Sequence, residues 1–119
     1  LTAELLDSTY EKVNQEYFGP DMDSDEFIQY EWSRIPHFFR SFYVFQYATG
    51  YSAANALANR ILTEGTPAVA DYRKFLTLGD SMDPIDLLKI AGVDMSTEEP
   101  VRSALTTFAE LVDELVREI

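Results

Sequence analysis

The chain has 119 residues, 46% of them hydrophobic and 13% aromatic, which is typical of one folded domain and excludes a disordered segment. Its 21 acidic and 9 basic residues give a formal net charge of −12. Nucleic-acid phosphates and anionic lipids are repelled by such a charge, so neither is an expected partner. Without cysteine or a long apolar run, the chain is expected to be soluble and cytoplasmic, with no disulfide and no membrane span.

Two helices are predicted in the first third of the chain. The first covers residues 1–17, where apolar residues recur three or four positions apart, and the F-G-P sequence at 18–20 ends it. Asp23 and Glu26 are predicted to cap a second helix that runs to about Trp32. The chain opens on this helical pattern with neither an initiator Met nor a basic signal-peptide start, and we expect it to be a segment of a longer polypeptide.

Four further helices are predicted after Pro36 interrupts the helical pattern. They cover residues 41–63, 66–79, 83–92 and 96–119. Thr66 and Asp83 each precede a proline and are predicted N-caps, and Ser96 with Glu99 is predicted to form a capping box. No run alternates with a period of two, so no sheet is expected. The predicted fold is all-α, an array of about six helices in a single segment covering residues 1–119.

Acidic residues are missing from one part of the chain. Residues 1–34 hold nine acids and residues 64–119 hold twelve, whereas residues 35–63 hold none and two arginines, Arg40 and Arg60. Solvated helices of an acidic protein carry acids, so this part is expected to be buried or to line a cavity. Its long helix is apolar nearly all round, which predicts a central helix packed on several sides. The chain is short for enclosing such a helix, so other polypeptide is expected to cover it.

The same part of the chain holds the only histidine, His37, and three tyrosines, Tyr43, Tyr47 and Tyr51. Side chains of this kind are usually core residues whose polar tips find hydrogen-bond partners. One histidine among scattered carboxylates lacks the spacing of a zinc site, and the serines lack the G-x-S-x-G context of a nucleophile. The P-D-M-D-S-D sequence at 20–25 lacks the glycine and closing Glu of a calcium loop. These patterns alone predict an acidic all-helical domain and no more.

The sequence W-S-R-I-P-H-F-F-R-S-F-Y-V-F-Q-Y-A-T-G-Y-S-A-A, however, resembles the C-terminal signature of the oligoendopeptidase F group within the thimet-type zinc metallopeptidases. Blocks on both sides of it resemble the same family in the same order: Y-F-G-P-D, I-L-T-E-G, Y-R-K-F-L-T-L-G and D-P-I-D-L-L-K-I-A-G-V-D-M-S. The resemblance covers the chain from about Tyr17 to its end. Several ordered blocks are more specific than one short motif.

This resemblance implies the C-terminal part of a larger helical catalytic domain that hydrolyses short peptides with a zinc-activated water. In such enzymes two His of an H-E-x-x-H motif and a downstream Glu hold the zinc. That motif is absent here, so no zinc ligand is expected in this chain and the chain alone is predicted to be inactive. The implied partners are an oligopeptide substrate and the preceding remainder of the same enzyme.

The resemblance also implies roles for individual residues. His37 and Tyr43 match a histidine and a tyrosine that stabilise the oxyanion formed on the substrate carbonyl. The second substrate-facing tyrosine is either Tyr47 or Tyr51. Arg40 is a candidate for binding a peptide carboxylate, or alternatively packs against aromatic rings at the surface. Since a nearby carboxylate would oppose an oxyanion, these roles account for the missing acids.

A function of a different class fits the same residues. The chain would then be a freestanding acidic helical module that binds other proteins and catalyses nothing, with the aromatic segment as its core or its binding groove. This alternative predicts a chain without exposed apolar surface.

Overall fold

The computed structural model describes residues 1–119 and contains helices but no strand. Its α-helices are α1 (Ala3–Phe18), α2 (Phe45–Glu64), α3 (Thr66–Leu78), α4 (Pro84–Ile90) and α5 (Glu99–Glu118), and two 3₁₀ helices span Ile28–Arg34 and Pro36–Phe39. The predicted all-α class is confirmed. Each of the six predicted helices has a counterpart, although the second is a 3₁₀ helix. None of these helices combines the length and apolar character needed to span a membrane.

The chain divides into two compact units. Unit 1 is Leu1–Val44 and contains α1 and both 3₁₀ helices; unit 2 is Phe45–Ile119 and contains α2 to α5. The prediction that residues 1–119 form a single segment of a larger catalytic domain is not tested by this division and stays a prediction.

In unit 1, α1 begins and ends where local chemistry requires. The Thr2 hydroxyl accepts a hydrogen bond from the Leu5 N–H and caps the first turn. The helix ends at Phe18 because Gly19 takes a φ of 77° and Pro20 follows. This confirms the stop predicted from the F-G-P sequence.

The second predicted helix differs from the structure in its start and in its type. Asp23 and Glu26 do not cap it; the Asp25 carboxylate instead accepts the Phe27 N–H at 2.7 Å, and a 3₁₀ helix begins at Ile28. This helix packs against α1. The Trp32 indole N–H donates to the Asp7 carboxylate of α1 at 2.7 Å, which joins the two elements through a charge-assisted hydrogen bond.

In unit 2, α5 packs on α2 through a polar strip. The Asn59 side-chain amide donates to the hydroxyls of Ser103 and Thr107 at 3.3 and 3.2 Å, and the Thr107 hydroxyl donates to the side-chain Oδ1 of Asn55 at 3.3 Å. The partners are spaced four residues apart on each helix, so they form a ladder along the contact. Since each buried polar group needs a partner, this ladder selects one rotation of α2 against α5.

This chain alone does not enclose the long helix, and the expectation that other polypeptide covers the rest of it stays a prediction. Within α2 only Ser52 and Ala53 are buried, whereas Leu62 is 82% exposed. The reason is that α3 and α5 are the main elements packed on it in unit 2, and they cover only part of its circumference.

Arg60 connects three parts of unit 2. From α2 its guanidinium donates to Asp71 on α3 at 2.8 Å, to both oxygens of Glu64 at 3.1 Å, and to the carbonyl of Ala91 just after α4. These hydrogen bonds, that to Asp71 above all and then that to Glu64, raise the pKa of Arg60 above its ordinary value. The side chain therefore stays charged, and its fork of donors holds α2, α3 and the end of α4 together.

The predicted N-caps of α3 and α4 have different outcomes. Thr66 is the first helical residue and Gly65 occupies the capping position, so that cap is wrong by one residue. Asp83 is confirmed, because its carboxylate accepts the Ile85 N–H at 3.0 Å and Pro84 begins α4.

The capping box predicted from Ser96 and Glu99 is absent, and Asp94 orders the turn before α5 instead. The Asp94 Oδ1 accepts the Ser96 hydroxyl at 2.6 Å and the Ser96 N–H at 2.9 Å. These two bonds, the hydroxyl's being the stronger cause, lower the pKa of Asp94 below its ordinary value. Ser96 is therefore used as a donor inside the turn, and Glu98 takes the position before the helix.

Asp94→Asn is expected to make folding less sensitive to acid. A carboxylate whose pKa is lowered by folding stabilises the folded chain above the ordinary pKa of 3.8, and this contribution is lost as the pH falls through the lowered folded value. Urea unfolding from about pH 6 to about pH 3 should show wild type and variant converging as the pH falls. The exposed Asp80→Asn is the control, and a difference independent of pH would contradict the expectation.

Candidate functional site

Residues 35–44 form the candidate site, at the end of unit 1. Ile35 is extended, as expected for a residue before proline, and Pro36 begins the second 3₁₀ helix. Arg40 is again extended and ends that helix. α2 begins only at Phe45, four residues after the predicted start at Ser41, so the chain here is a 3₁₀ helix and a turn.

The 3₁₀ helix separates the directions of its side chains. Phe38 packs edge-on against Tyr10 of α1, with ring centroids 6.4 Å apart, and Phe39 lies 6.2 Å from Trp32. Successive residues of a 3₁₀ helix point about 120° apart. With two directions used by the phenylalanines, the half-buried His37 takes the third.

Phe38 and Phe39 border an apolar groove of about 610 Å³ in unit 1. Its other lining residues are Leu1, Leu6, Thr9, Tyr10, Val13 and Trp32. The indole N–H of Trp32 already donates to Asp7, so the groove is almost free of available donors. His37, Arg40 and Tyr43 do not line this groove.

The imidazole of His37 and the phenol ring of Tyr43 stack on one another, with centroids 5.4 Å apart and planes 24° from parallel. The Arg40 guanidinium lies over the Tyr43 ring, 5.7 Å from its centroid, within the range of a cation–π contact. Three of the predicted site residues are thus brought together in unit 1. The cluster unites an imidazole, a phenol and a guanidinium, all of which can donate hydrogen bonds.

A strained turn brings Tyr43 back to His37. The Tyr43 N–H donates to the Arg40 carbonyl at 3.2 Å, and Phe42, the third residue of that turn, has a φ of 54°. Glycine or asparagine is usual at such a position, and a bulky residue costs about 1–2 kcal/mol there. Strain of this kind is common at functional sites, where the surrounding structure keeps it in place.

Tyr47 and Tyr51 lie on the first two turns of α2, in unit 2. They are four residues apart, so they share one face, and they are 58% and 66% exposed. The predicted helix over residues 41–63 would include Tyr43, and this is wrong because Tyr43 precedes α2. The choice between Tyr47 and Tyr51 stays open.

Within this chain the acid-free segment is largely exposed rather than buried, and the alternative expectation that it lines a cavity stays a prediction. Phe39 and Phe42 are 66% and 87% exposed, respectively. The turn at residues 40–43 projects the Phe42 ring outward and leaves Arg40 exposed as well. The segment therefore presents aromatic rings and a cation on the surface, with no acid in it.

The chain's own donors do not fit a zinc site. No group of three or more His, Asp or Glu side chains could hold a metal ion, and the aspartates of residues 20–25 are no exception. His37 is the only imidazole. A catalytic zinc needs three protein ligands in one place, and no such set is present.

Two residues with structural importance were missed by sequence reasoning. Phe42 gives no local signal, because nothing in a phenylalanine predicts a positive φ. Arg60 did give a signal: it is one of two cations in the acid-free segment, and Glu64 follows four residues later on the same helix.

Comparison with known proteins identifies consistent relatives. The chain matches the sequence profile of Peptidase family M3 over residues 1–107. It is 55% identical over 115 residues to the Oligopeptidase PepF of Bacillus subtilis strain 168, a match that covers 97% of this chain and 17% of that protein. It is 43% identical over 115 residues to the group B oligopeptidase PepB of Streptococcus agalactiae serotype III strain NEM316, covering 97% and 19% respectively.

A solved structure agrees with the fold. The crystal structure of oligoendopeptidase-F from Enterococcus faecium superposes with a TM-score of 0.86 at 42% identity, covering 98% of this chain and 22% of that one. The matched region corresponds to the C-terminal portion of oligoendopeptidase F and PepF, which confirms the predicted resemblance. This chain spans about one fifth of the length of these relatives.

Proposed function

This chain belongs to peptidase family M3, and from that membership we propose that it acts as the C-terminal part of a zinc-dependent oligopeptidase of the oligoendopeptidase F type. Residues 1–119 would contribute the groups that bind a short peptide and stabilise the charge that develops on its carbonyl oxygen. The chain alone would be inactive. The proposal extends to an oligopeptide substrate and to the preceding part of the enzyme as a partner.

The observation that carries this proposal is the stack of His37 on Tyr43 in a segment without acids. An imidazole N–H and a phenol O–H can both donate to an oxygen that gains negative charge. Donors held in place beforehand stabilise such a charge more than donors that must reorganise. A carboxylate in the segment would repel the same charge, and none is present.

Arg40 supports this arrangement. Its guanidinium lies over the Tyr43 ring and places a positive charge beside the proposed donors, which attracts an anionic group. Two alternatives for Arg40 came from the sequence, packing on an aromatic ring or binding a peptide carboxylate. Its guanidinium packs on the Tyr43 ring and is also exposed, so we propose that it binds the carboxylate from this position. Tyr47 and Tyr51 are proposed as further substrate contacts.

Zinc enters the proposal through the family alone. The donors of this chain do not fit a zinc site, so we assign the metal ligands to the preceding part of the enzyme. When bound there, zinc would supply the activated water. Within this chain, the proposed chemistry is limited to donation of hydrogen bonds to the substrate oxygen and to binding of the peptide.

Tyr43→Phe tests the proposal in a chimaera in which residues 1–119 replace the matching C-terminal portion of Bacillus subtilis PepF. The substitution removes one hydroxyl and keeps the ring that stacks on His37. We expect kcat for an oligopeptide to fall about 10²-fold with a much smaller change in KM, because the lost interaction strengthens as charge develops.

Tyr10→Phe is the matched control, because it removes the same hydroxyl from a tyrosine of unit 1 that lines the apolar groove instead. It should leave kcat unchanged. If kcat were the same in both variants and in the parent chimaera, the Tyr43 hydroxyl would have no role in stabilising the developing charge. The isolated chain serves as the inactive reference.

The freestanding interaction module is not favoured by any feature of the structure. It predicts a chain without exposed apolar surface, whereas large apolar side chains are exposed along most of α5. A surface of that kind is expected where another part of a protein normally packs.

A further inference from the structure

The exposed side of α5 carries a continuous apolar row that nothing in unit 2 covers. The row, called here the α5 seam, consists of Val101, Leu105, Phe108, Val112, Leu115 and Ile119, all of them exposed. Phe108 is 65% exposed although its neighbour Ala104 is buried. Up to Thr107 the helix therefore has one face packed within the unit and another face that is apolar and open, and from Phe108 onward all its residues are exposed.

These two faces do not overlap. α5 bonds to α2 through Ser103 and Thr107, the side that makes the polar ladder with Asn55 and Asn59, and Ala104 beside them is buried. At 100° per residue, the seam is centred roughly 110° around the helix from that side. The fold has thus used the small and polar side of α5 internally and left its most apolar side unpartnered.

The spacing within the seam indicates what shape covers it. Successive members are separated by 4, 3, 4, 3 and 4 residues. This is the a/d pattern of a heptad repeat, which keeps contact with a second helix lying along the first at a small angle. The seam runs over about five turns, or roughly 27 Å, so the matching helix has about 18 residues.

Charge argues against a second copy of this chain as that helix. Each copy carries a net charge of −12. The half of α5 beyond Ala109 also holds four acids, Glu110, Asp113, Glu114 and Glu118, against one base. Like charges brought together in this way oppose association, and a partner with Lys or Arg beside its apolar row would be attracted.

We propose that the α5 seam is the docking surface for a basic-flanked amphipathic helix in the preceding part of the same enzyme. The inference rests on the proposed function, since it requires a longer polypeptide of which this chain is the C-terminal portion. The length of the relatives supports it, because about four fifths of each lies outside the matched region. Docking along the seam would hold this chain in place without any contact from the candidate site.

Phe108→Glu and Thr106→Glu, compared in the isolated chain and in the PepF chimaera, test this inference. Thr106 is exposed but lies neither in the seam nor against α2. In the isolated chain we expect both variants to melt like wild type. In the chimaera, Phe108→Glu should lower the yield of soluble enzyme about tenfold and remove the hydrogen-exchange protection of α5, whereas Thr106→Glu should change neither.

Other outcomes separate the alternatives. The inference would be overturned if hydrogen exchange in α5 were as fast in the chimaera as in the isolated chain. It would also be overturned if Phe108→Glu and Thr106→Glu gave the same yield of soluble chimaera. If the isolated chain sediments as a dimer and Phe108→Glu makes it monomeric, the α5 seam binds a second copy of this chain and the inference is wrong. A chimaera that fails to fold would also count against it, because no helix would then complete the seam.

The test does not depend on catalysis. An inactive chimaera that still protects α5 would oppose the proposed function of His37 and Tyr43 and leave the docking surface in place. Conversely, an active chimaera with an unprotected α5 would support the proposed function and reject the docking surface. Phe108→Ala, which shortens the side chain without adding charge, should show a smaller loss of protection in the same direction.

Discussion

Gly92→Ala is expected to destabilise unit 2 by about 3 kcal/mol, the largest stability effect of any substitution considered for this chain. Gly92 has a φ of 81°, where a side chain is strained. A Cβ at this position would also lie 2.8 Å from the Arg60 Nε, and closer still to two other guanidinium atoms. The guanidinium cannot move aside without breaking its bonds to Asp71 and to the carbonyl of Ala91.

Urea unfolding of Gly92→Ala, Arg60→Ala and the double variant measures this effect as a double-mutant cycle. If the added Cβ collides with Arg60, removing the arginine relieves the collision. The loss of stability in the double variant should then be smaller than the sum of the losses in the two single variants. Gly79→Ala separates the strain from the collision, because Gly79 also has a positive φ but no atom near its Cβ position. Equal losses for Gly92→Ala and Gly79→Ala would show that Arg60 is not involved.

His37→Ala in the PepF chimaera is expected to lower kcat by about 10²- to 10³-fold. The substitution removes both an N–H donor and the ring on which Tyr43 stacks, so its effect should exceed that of Tyr43→Phe. KM should change far less, because the interaction is made chiefly with the developing charge and only weakly with the bound substrate.

His37→Gln provides the comparison, since its amide retains an N–H donor of similar reach but cannot stack in the same way. It should recover part of the activity lost in His37→Ala. Melting curves and peptide binding of both variants should match the parent chimaera, which excludes general unfolding as the cause. Parent-like kcat in His37→Ala would remove the histidine from the mechanism.

The helical class and most helix ends could be predicted because they depend on nearby residues. Gly19 and Gly79 end α1 and α3 through their backbone freedom, and Asp83 with Pro84 begins α4. The start of α2 could not be predicted. It depends on the turn at residues 40–43, which Phe42 closes with a positive φ that its own chemistry disfavours.

The sequence predicted site residues but not how they are arranged, and their roles stay a prediction. His37 and Tyr43 were proposed from the family resemblance and Arg40 from the chemistry of its guanidinium, and the structure brings the three side chains together in unit 1. The sequence pattern had placed Tyr43 on the long helix with Tyr47. Tyr43 instead lies before α2, because a 3₁₀ helix and a strained turn precede that helix, and helical periodicity gives no signal for either.

By itself, the sequence determined the all-helical class, the stops at glycine and proline, the acid-free segment and the apolar row on the last helix, since each is a property of residue order and local backbone preference. Only the tertiary structure decided that Tyr43 stacks on His37 and that Arg60 joins α2 to α3 and the end of α4. It also decided that α5 turns its polar side to α2 and leaves its apolar side open. The physical reason is that these features depend on hydrogen bonds and packing between distant residues, which local preferences do not encode.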